Sequence, residues 1–557
     1  MGLGVIEDHK LPHVPGTFIL DESLTSQNVT RNLKHKKNSH VVLVPQPSED
    51  PNDPLNWPLY VRDLIFLVHV LNFVLAAACP GPLLSAATED LATIFGVTVT
   101  KIAQLSGYQL LVVGCSGPVV APLARLFGKR PQFLFASTMS LIGTIVCASA
   151  NDYHGVLAGR IIQGFGSCAY ESLLVALIGD IYFAHERGLR MALFNFTYGS
   201  VNAVTSMVAG PITNRLGWKY MFYIYIPFSA TALILLIFCS TETAFNRDKA
   251  YELDETAESN FDQLIKMEGR TVVTEQIETV AENEDTARMP ARETNSVFNS
   301  QSRQRKTYWQ FILPWHGRFS EENFLRLAIR PFAVLLNPAI LWITLIMSFS
   351  IACLVFVNFA LAQMFSAPPA LLTSQQLGYM YAGPFVIGLI ISVIFFFSSD
   401  PLALRFARMN GGIFEPEFRL PVSLLVGATL QSIGSFGLGN FYEQGKGPVV
   451  GSVMVGLMCG GMTALSITGG NYTIDAYREY SIEIVIIVMI TKNFIFYGFS
   501  YFFNDWVADS GPATVFDALG GLILGLSLFL GPTIYILGKI LRSWWHRSRI
   551  LERLFLA

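Results

Sequence analysis

The sequence predicts an all-α integral membrane protein, with twelve transmembrane helices in two pseudo-symmetric six-helix bundles. Three observations predict it. Of 557 residues, 52% are hydrophobic and only 14% are charged, against about a quarter charged in an average soluble domain. The apolar residues gather in twelve stretches, each near the roughly 20 residues needed to cross a bilayer as a helix that satisfies its own backbone. One long polar segment divides the twelve into two sets of six.

In the first half the stretches run near 64–86, 103–124, 132–150, 155–179, 191–213 and 220–240. In the second half they run near 338–360, 376–398, 420–441, 448–473, 483–503 and 515–538. The chain divides accordingly into an N-terminal tail (1–60), a first bundle (61–240), a central linker (241–330), a second bundle (331–540) and a C-terminal tail (541–557). The N-terminal tail has no short apolar run before a small-residue cleavage site, so the first stretch is expected to serve as its own insertion signal. From Asp248 to Glu293 the linker is rich in Glu, Asp, Thr and Asn and poor in aromatics. That is the composition of a largely disordered segment, with room for amphipathic helices around it.

Lys and Arg accumulate in cytoplasmic loops. The loops after stretches 2, 4 and 8 hold Arg125, Lys129, Arg130, Arg187, Arg190, Arg405, Arg408 and Arg419, and Lys539 and Arg542 follow the last stretch. The opposite loops offer Lys101, Arg215, Lys219 and Lys446. Both termini and the linker are therefore expected in the cytoplasm. A net charge of −3 supplies no positive field for nucleic-acid phosphates. The seven cysteines lie in apolar runs and read as packing residues. No metal-spaced His/Cys cluster, nucleophile elbow or phosphate loop stands out, so no catalytic residue, metal or cofactor is expected.

The halves echo each other. Pro122-Leu123-Ala124-Arg125-Leu126-Phe127 follows stretch 2, and Pro401-Leu402-Ala403-Leu404-Arg405-Phe406 follows stretch 8. Such repeats suggest two bundles rocking about a site at mid-membrane.

Four ionisable residues fall well inside the stretches: His69, Arg160, Glu171 and Lys492. Each is costly in lipid, so each is expected to face a cavity or a partner. Arg160 and Glu171 are about three helical turns apart on one face, with Gln163 beside them, and read as two depths of a single wet surface. Glu171 is either a proton-binding carboxylate that attracts a cationic substrate, or a carboxylate permanently paired to another helix, with Lys492 a candidate partner. Arg160 is either a coupling residue or a structural donor to carbonyls where a helix is broken. Lys492 could take an anionic group, tune Glu171 or merely neutralise it. His69, with Asn72 nearby, is either a titrating group or a hydrogen-bonded structural residue. Tyr198, Asn202, Ser206 and Gly210 recur every four residues and end at Pro211, a stripe suited to close helix packing that can also line a cavity. Gly456 with Gly460, and Gly521 with Gly525, read as packing pairs. Cys79-Pro80-Gly81-Pro82 and Gly383-Pro384 are helix breakers.

These residues carry a resemblance. Asp53-Pro54-Leu55-Asn56-Trp57, Gly117 through Gly128-Lys129-Arg130-Pro131, Arg160-Ile161-Ile162-Gln163-Gly164-Phe165-Gly166, Gly210-Pro211, Asp180 and Asn410 through Arg419 together resemble the major facilitator superfamily. The branch they resemble most is its fungal twelve-span drug:proton antiporters. The resemblance implies a major facilitator fold, a basic turn at Gly128 to Arg130 that contacts neighbouring helix ends, and proton coupling around Arg160. Arg125 stands where the family usually has an aspartate, and Asn214 and Arg215 replace the trailing glycines of the antiporter motif.

Asp400, Arg405, Arg408, Glu415, Glu417 and Arg419 are expected to form a charge cluster that closes the cytoplasmic mouth, since acidic residues there add little to orientation. The function expected is proton-coupled export of a small amphipathic or cationic compound, by a monomer in the plasma membrane. The partners are the substrate, protons and lipid. The alternatives are proton-driven uptake of polyamines or related cations, and a non-transporting membrane sensor.

Overall fold

A computed structural model describes residues 4–6, 14, 16–19, 47–48, 50–245, 307–315, 317–368, 370–410, 413–477 and 480–554. The linker expectation for Asp248 to Glu293 lies outside the described residues. The twelve membrane helices are α1 (Leu59–Phe73), α2 (Val99–Phe127), α3 (Arg130–Ser149), α4 (Tyr153–Ile181), α5 (Ala184–Leu216), α6 (Trp218–Cys239), α7 (Pro338–Ser366), α8 (Ala382–Met409), α9 (Leu420–Glu443), α10 (Pro448–Ala476), α11 (Ser481–Ser500) and α12 (Pro512–Gly525). Among the described residues, eleven helices are long and apolar enough to cross a bilayer. The remaining one is α5, long enough at 33 residues but polar along the Tyr198, Asn202 and Ser206 stripe.

Breaks fall where the sequence places proline and glycine. After Phe73, α1 widens into a π turn at Val74–Ala78, then tightens into a 3₁₀ segment at Pro82–Ala87. Stretch 8 is divided at Tyr381, between a short helix Ser374–Met380 and α8. The last helix continues through a π turn into Gly531–Ser548.

In the first bundle α4 packs against α2 and α3, and in the second α10 packs against α8 and α9. The bundles meet along α2 with α11, and along α5 with α8 and Ser374–Met380. Adding six to a helix number carries the α2/α11 seam onto the α8/α5 seam, as a two-fold repeat requires. Gly210 packs so closely on Gly378 that a Cβ would come within 3.0 Å of the Gly378 Cα. Gly456 and Gly460 pack on Gly383, Ile387 and Ile391. Gly521 and Gly525, by contrast, have nothing within 4 Å, so that pair is not a packing contact here. Cys115 is likewise exposed rather than packed.

The N-terminal segment joins the second bundle. Phe18–Ile19 pairs antiparallel with Ile413–Phe414, and Val5 packs among Ala403, Ala407, Phe414 and Phe418.

Candidate functional site

The site grows from α4. Asp152 caps the helix by accepting the Gly155 N–H at 3.3 Å, and the 3.6-residue turn then places Arg160, Gln163, Ser167 and Glu171 along one side.

Near its start, Arg160 is fully buried. Its position follows from the broken α1. Pro80 has no N–H, so the Ala76 carbonyl four residues back lacks its helical donor. The Ser140 and Ser167 hydroxyls donate to that carbonyl instead, at 3.1 and 3.2 Å. The Pro80 carbonyl in turn accepts from the Arg160 guanidinium, which also donates to Gln109 Oε1 at 3.0 Å and Gln163 Oε1 at 3.2 Å. The Gln163 amide donates to Thr144 at 3.0 Å. This is the structural-donor arrangement for Arg160.

The single wet surface expected of Arg160 and Glu171 is not formed. Gly143, Gly159 and Gly166 bring α3 and α4 into backbone contact on one side of Arg160, and the Arg160 guanidinium turns into the first bundle towards Pro80 and Gln109 rather than towards Glu171. His69 is also packed inside the first bundle, with Nε2 at 2.8 Å from Ser240 Oγ and its ring centre 4.5 Å from that of Phe133. Asn72 donates to the carbonyls of Val68 and Ala232 at 3.0 and 2.9 Å. His69 and Asn72 tie α1 to α3 and α6.

Further along α4, Glu171 meets the other bundle. Lys492 Nζ on α11 lies 2.9 Å from Glu171 Oε2 and donates to the Tyr198 hydroxyl on α5 at 3.1 Å. The two charged side chains are only about a tenth exposed. Val113, Cys168, Ile486 and Ile490 form an apolar cluster at the same junction of α2, α4 and α11. Phe73 lies 5.7 Å from the Tyr198 ring and 5.0 Å from Phe194, giving an aromatic wall on the α5 side. In such a medium a paired charge is held strongly, and a charge stripped of its partner is costly. Asn202, one turn beyond Tyr198, is half-buried, and its side chain has no hydrogen-bond partner among the described residues. A cleft between Phe196, Gly199 and Ser200 of α5 and Pro384, Gly388 and Thr463 lies on the other bundle seam.

The basic turn is built at the end that carries the linker, called here the linker face. Gly128 adopts φ +95°, a left-handed conformation that glycine permits, and a side chain there would collide with the Glu242 carboxylate. Glu242 accepts the N–H groups of Lys129 and Arg130, both at 3.1 Å, at the start of α3. Lys129 pairs with Asp180 at 2.5 Å, and the Arg130 guanidinium donates to the carbonyls of Ser240 and Ile237. Nearby, Asp63 accepts from Tyr182 at 2.6 Å and pairs with Arg190 at 3.0 Å. Burial, then the bond to Asp63, pushes the Tyr182 phenol well above its ordinary range. The side chains of Arg187 and Asp400 lie outside the described residues.

The second-bundle cluster differs from the one expected. Glu415 and Glu417 are buried within that bundle against Lys539 and Arg542, with Lys539 to Glu415 at 2.7 Å and Arg542 to each carboxylate at 2.8 Å. Thr17 donates to Glu415 at 2.8 Å, and Arg419 pairs with Asp475 at 2.5 Å. Arg405 and Arg408 stay exposed without an ion pair among the described residues, because α8 buries its opposite side through Ala403 and Ala407. Lys539 and Arg542, read from sequence as orientation signals, are thus structural cations.

Between the bundles the linker face is joined at Glu483, which sequence reasoning missed. Arg125 Nη1 and Arg330 Nε approach its carboxylate to 3.6 and 3.3 Å. Glu483 opens α11, where an acidic residue reads as an ordinary complement to the helix dipole. The signal that could have found it is the basic Arg125 standing where the family has an aspartate, which calls for an acid opposite. At the other face Thr100 donates to Asp505 at 2.6 Å, and the hydroxyls of Tyr108 and Tyr501 lie 2.9 Å apart.

Residues 65–479 match the Major Facilitator Superfamily. The chain is 26% identical to Protein HOL1 of Saccharomyces cerevisiae, over 96% of each chain. It is 27% identical to efflux pump dotC of Dothistroma septosporum over 31% of this chain and 30% of that one. Among solved structures it resembles the proton:xylose symporter XylE bound to 6-bromo-6-deoxy-D-glucose, with a TM-score of 0.56 at 16% identity, covering 85% of this chain and 96% of that one.

Proposed function

The chain belongs to the major facilitator superfamily, and from that membership we propose that it is a proton-coupled transporter exporting a small amphipathic or cationic organic compound. The observation that carries the proposal is the Glu171–Lys492 pair, which joins the bundles through one carboxylate and one ammonium. A proton arriving at Glu171 removes its charge and releases Lys492, so the seam between α4 and α11 is weakened and the bundles are free to rock. A substrate cation can take the place of the Lys492 ammonium at the same carboxylate, so proton and substrate compete. The aromatic wall of Phe73, Phe194 and Tyr198 suits an organic cation.

The energetics allow this without nucleotide. One proton moving down 100 mV releases about 2.3 kcal/mol, and one pH unit adds about 1.4 kcal/mol. Together they sustain a concentration ratio of roughly several hundred for a neutral solute. The efflux-pump relative favours export. In this reading the protein works as a monomer in the plasma membrane with both termini and the linker cytoplasmic.

Proteoliposomes with an imposed pH gradient test it, using a fluorescent cationic dye and a labelled polyamine as probes. Wild-type protein is expected to move the dye against the proton gradient, and Glu171→Gln to lose the pH-driven component while remaining folded and inserted. Undiminished pH-driven flux in Glu171→Gln removes that residue from coupling. Movement of polyamine with the proton gradient, and none of the dye, overturns export.

A further inference from the structure

Between the linker and α7 the chain presents two apolar faces. In the helix Phe324–Ala333, Leu327, Pro331 and Ala333 are buried against the protein. Leu325, Ile329 and Phe332 are 65%, 51% and 44% exposed, and Leu336 just beyond is 56% exposed. Their spacings of four, three and four residues make one stripe, on the side opposite Leu327 and Pro331. Arg326 sits on the flank of this stripe, exposed and without a partner among the described residues. Arg330, one turn on, holds Glu483 and lies 5.6 Å over the Tyr480 ring.

The occupant of the stripe follows from where the helix stands. It ends in a tight turn at Val334–Leu336. Asn337 then turns extended and caps α7, its side chain accepting the Ala339 N–H at 2.9 Å. An extended residue therefore separates the helix from the start of a membrane span, the place in the chain where a bilayer boundary is expected. The outward residues of α7, Leu341 and Leu345, continue the exposed apolar surface into the span. Upstream, Trp309 and Trp315 are exposed as well, the residue type favoured at membrane–water interfaces.

We propose that residues 324–336 form an in-plane anchor, with Leu325, Ile329, Phe332 and Leu336 among the acyl chains and Arg326 on the phosphates of anionic lipid. Such a helix needs an apolar face, a basic flank and a position at the interface, and this one has all three. Because Arg330 of the same helix holds Glu483, lipid seating also fixes one side of the contact that joins α2 to α11. The inference is independent of substrate, coupling and direction.

The test uses full-length protein carrying Cys115→Ser and Cys239→Ser, with a nitroxide on Ile329→Cys, in vesicles of phosphatidylcholine alone or mixed with phosphatidylserine. The label is expected to collide more often with oxygen than with a water-soluble nickel chelate. That ratio should rise with phosphatidylserine, and Arg326→Gln should abolish the rise. A label reached more readily by the nickel chelate in both vesicles overturns the anchor, as does spin–spin broadening from a second copy. A ratio indifferent to phosphatidylserine overturns the arginine–phosphate contact. A label on Leu325→Cys, elsewhere on the stripe, must give the same result.

Discussion

At the scale of residues, two buried charges on one helix meet different surroundings. Arg160 donates to the Pro80 carbonyl at the break in α1, and its hydrogen bonds to Pro80, Gln109 and Gln163 tie three helices together. Removing it leaves buried acceptors unpaired, at about 1–3 kcal/mol each. Arg160→Leu is therefore expected to lower the thermal unfolding midpoint sharply in detergent, with Arg160→Lys recovering part of the loss. A midpoint unchanged by Arg160→Leu, together with lost transport, would assign Arg160 to coupling instead. Glu171 and Lys492 instead answer each other across the seam between α4 and α11. Sequence patterning placed all three at membrane depth and named Lys492 as a candidate partner of Glu171. It could not tell the two surroundings apart, because the acceptors around Arg160 come from α2, α4 and the broken end of α1, far apart in the chain.

Among elements, α5 shows how a polar stripe is divided between tasks. Tyr198 contacts Lys492, Ser206 lies 2.9 Å from the Ser85 hydroxyl, and Gly210 packs on Ser374–Met380. A Cβ at Gly210 would lie 2.5 Å from the Ser374 carbonyl oxygen, so Gly210→Leu forces the two bundles apart there. A loss of about 1–3 kcal/mol is expected from such overpacking, read as a lower unfolding midpoint and faster thiol labelling of Ser374→Cys. Gly521→Leu, with open space around it, should leave the midpoint unchanged. The pairs Gly456 with Gly460 and Gly521 with Gly525 have identical spacing in sequence. Only the first pair packs on a neighbouring helix, against Gly383, Ile387 and Ile391, and local spacing does not encode that.

For the whole molecule, the bundles are bridged at both faces as well as at the centre, through Arg125 to Glu483, Thr100 to Asp505, and Lys492 to Glu171. Alternating access requires the outer bridges to open in turn. Arg125 is about half exposed, so its contact is worth at most about 1 kcal/mol, roughly a fivefold shift between states. Arg125→Glu is expected to favour the state open at the linker face, seen as faster labelling of a cysteine placed at that seam. The exchange Arg125→Glu with Glu483→Arg should restore much of the wild-type rate. Labelling indifferent to both changes would remove this contact from gating. The membrane class, the twelve spans, the two halves and the few charges at depth were all legible in the order of residues, because hydropathy and helix length are local quantities set by lipid thickness. Which charges meet came from the packing of the folded chain. It buried Glu415 and Glu417 on Lys539 and Arg542, left Arg405 and Arg408 to solvent, and set Lys492 on Glu171, since pairing depends on contacts between residues far apart in the chain.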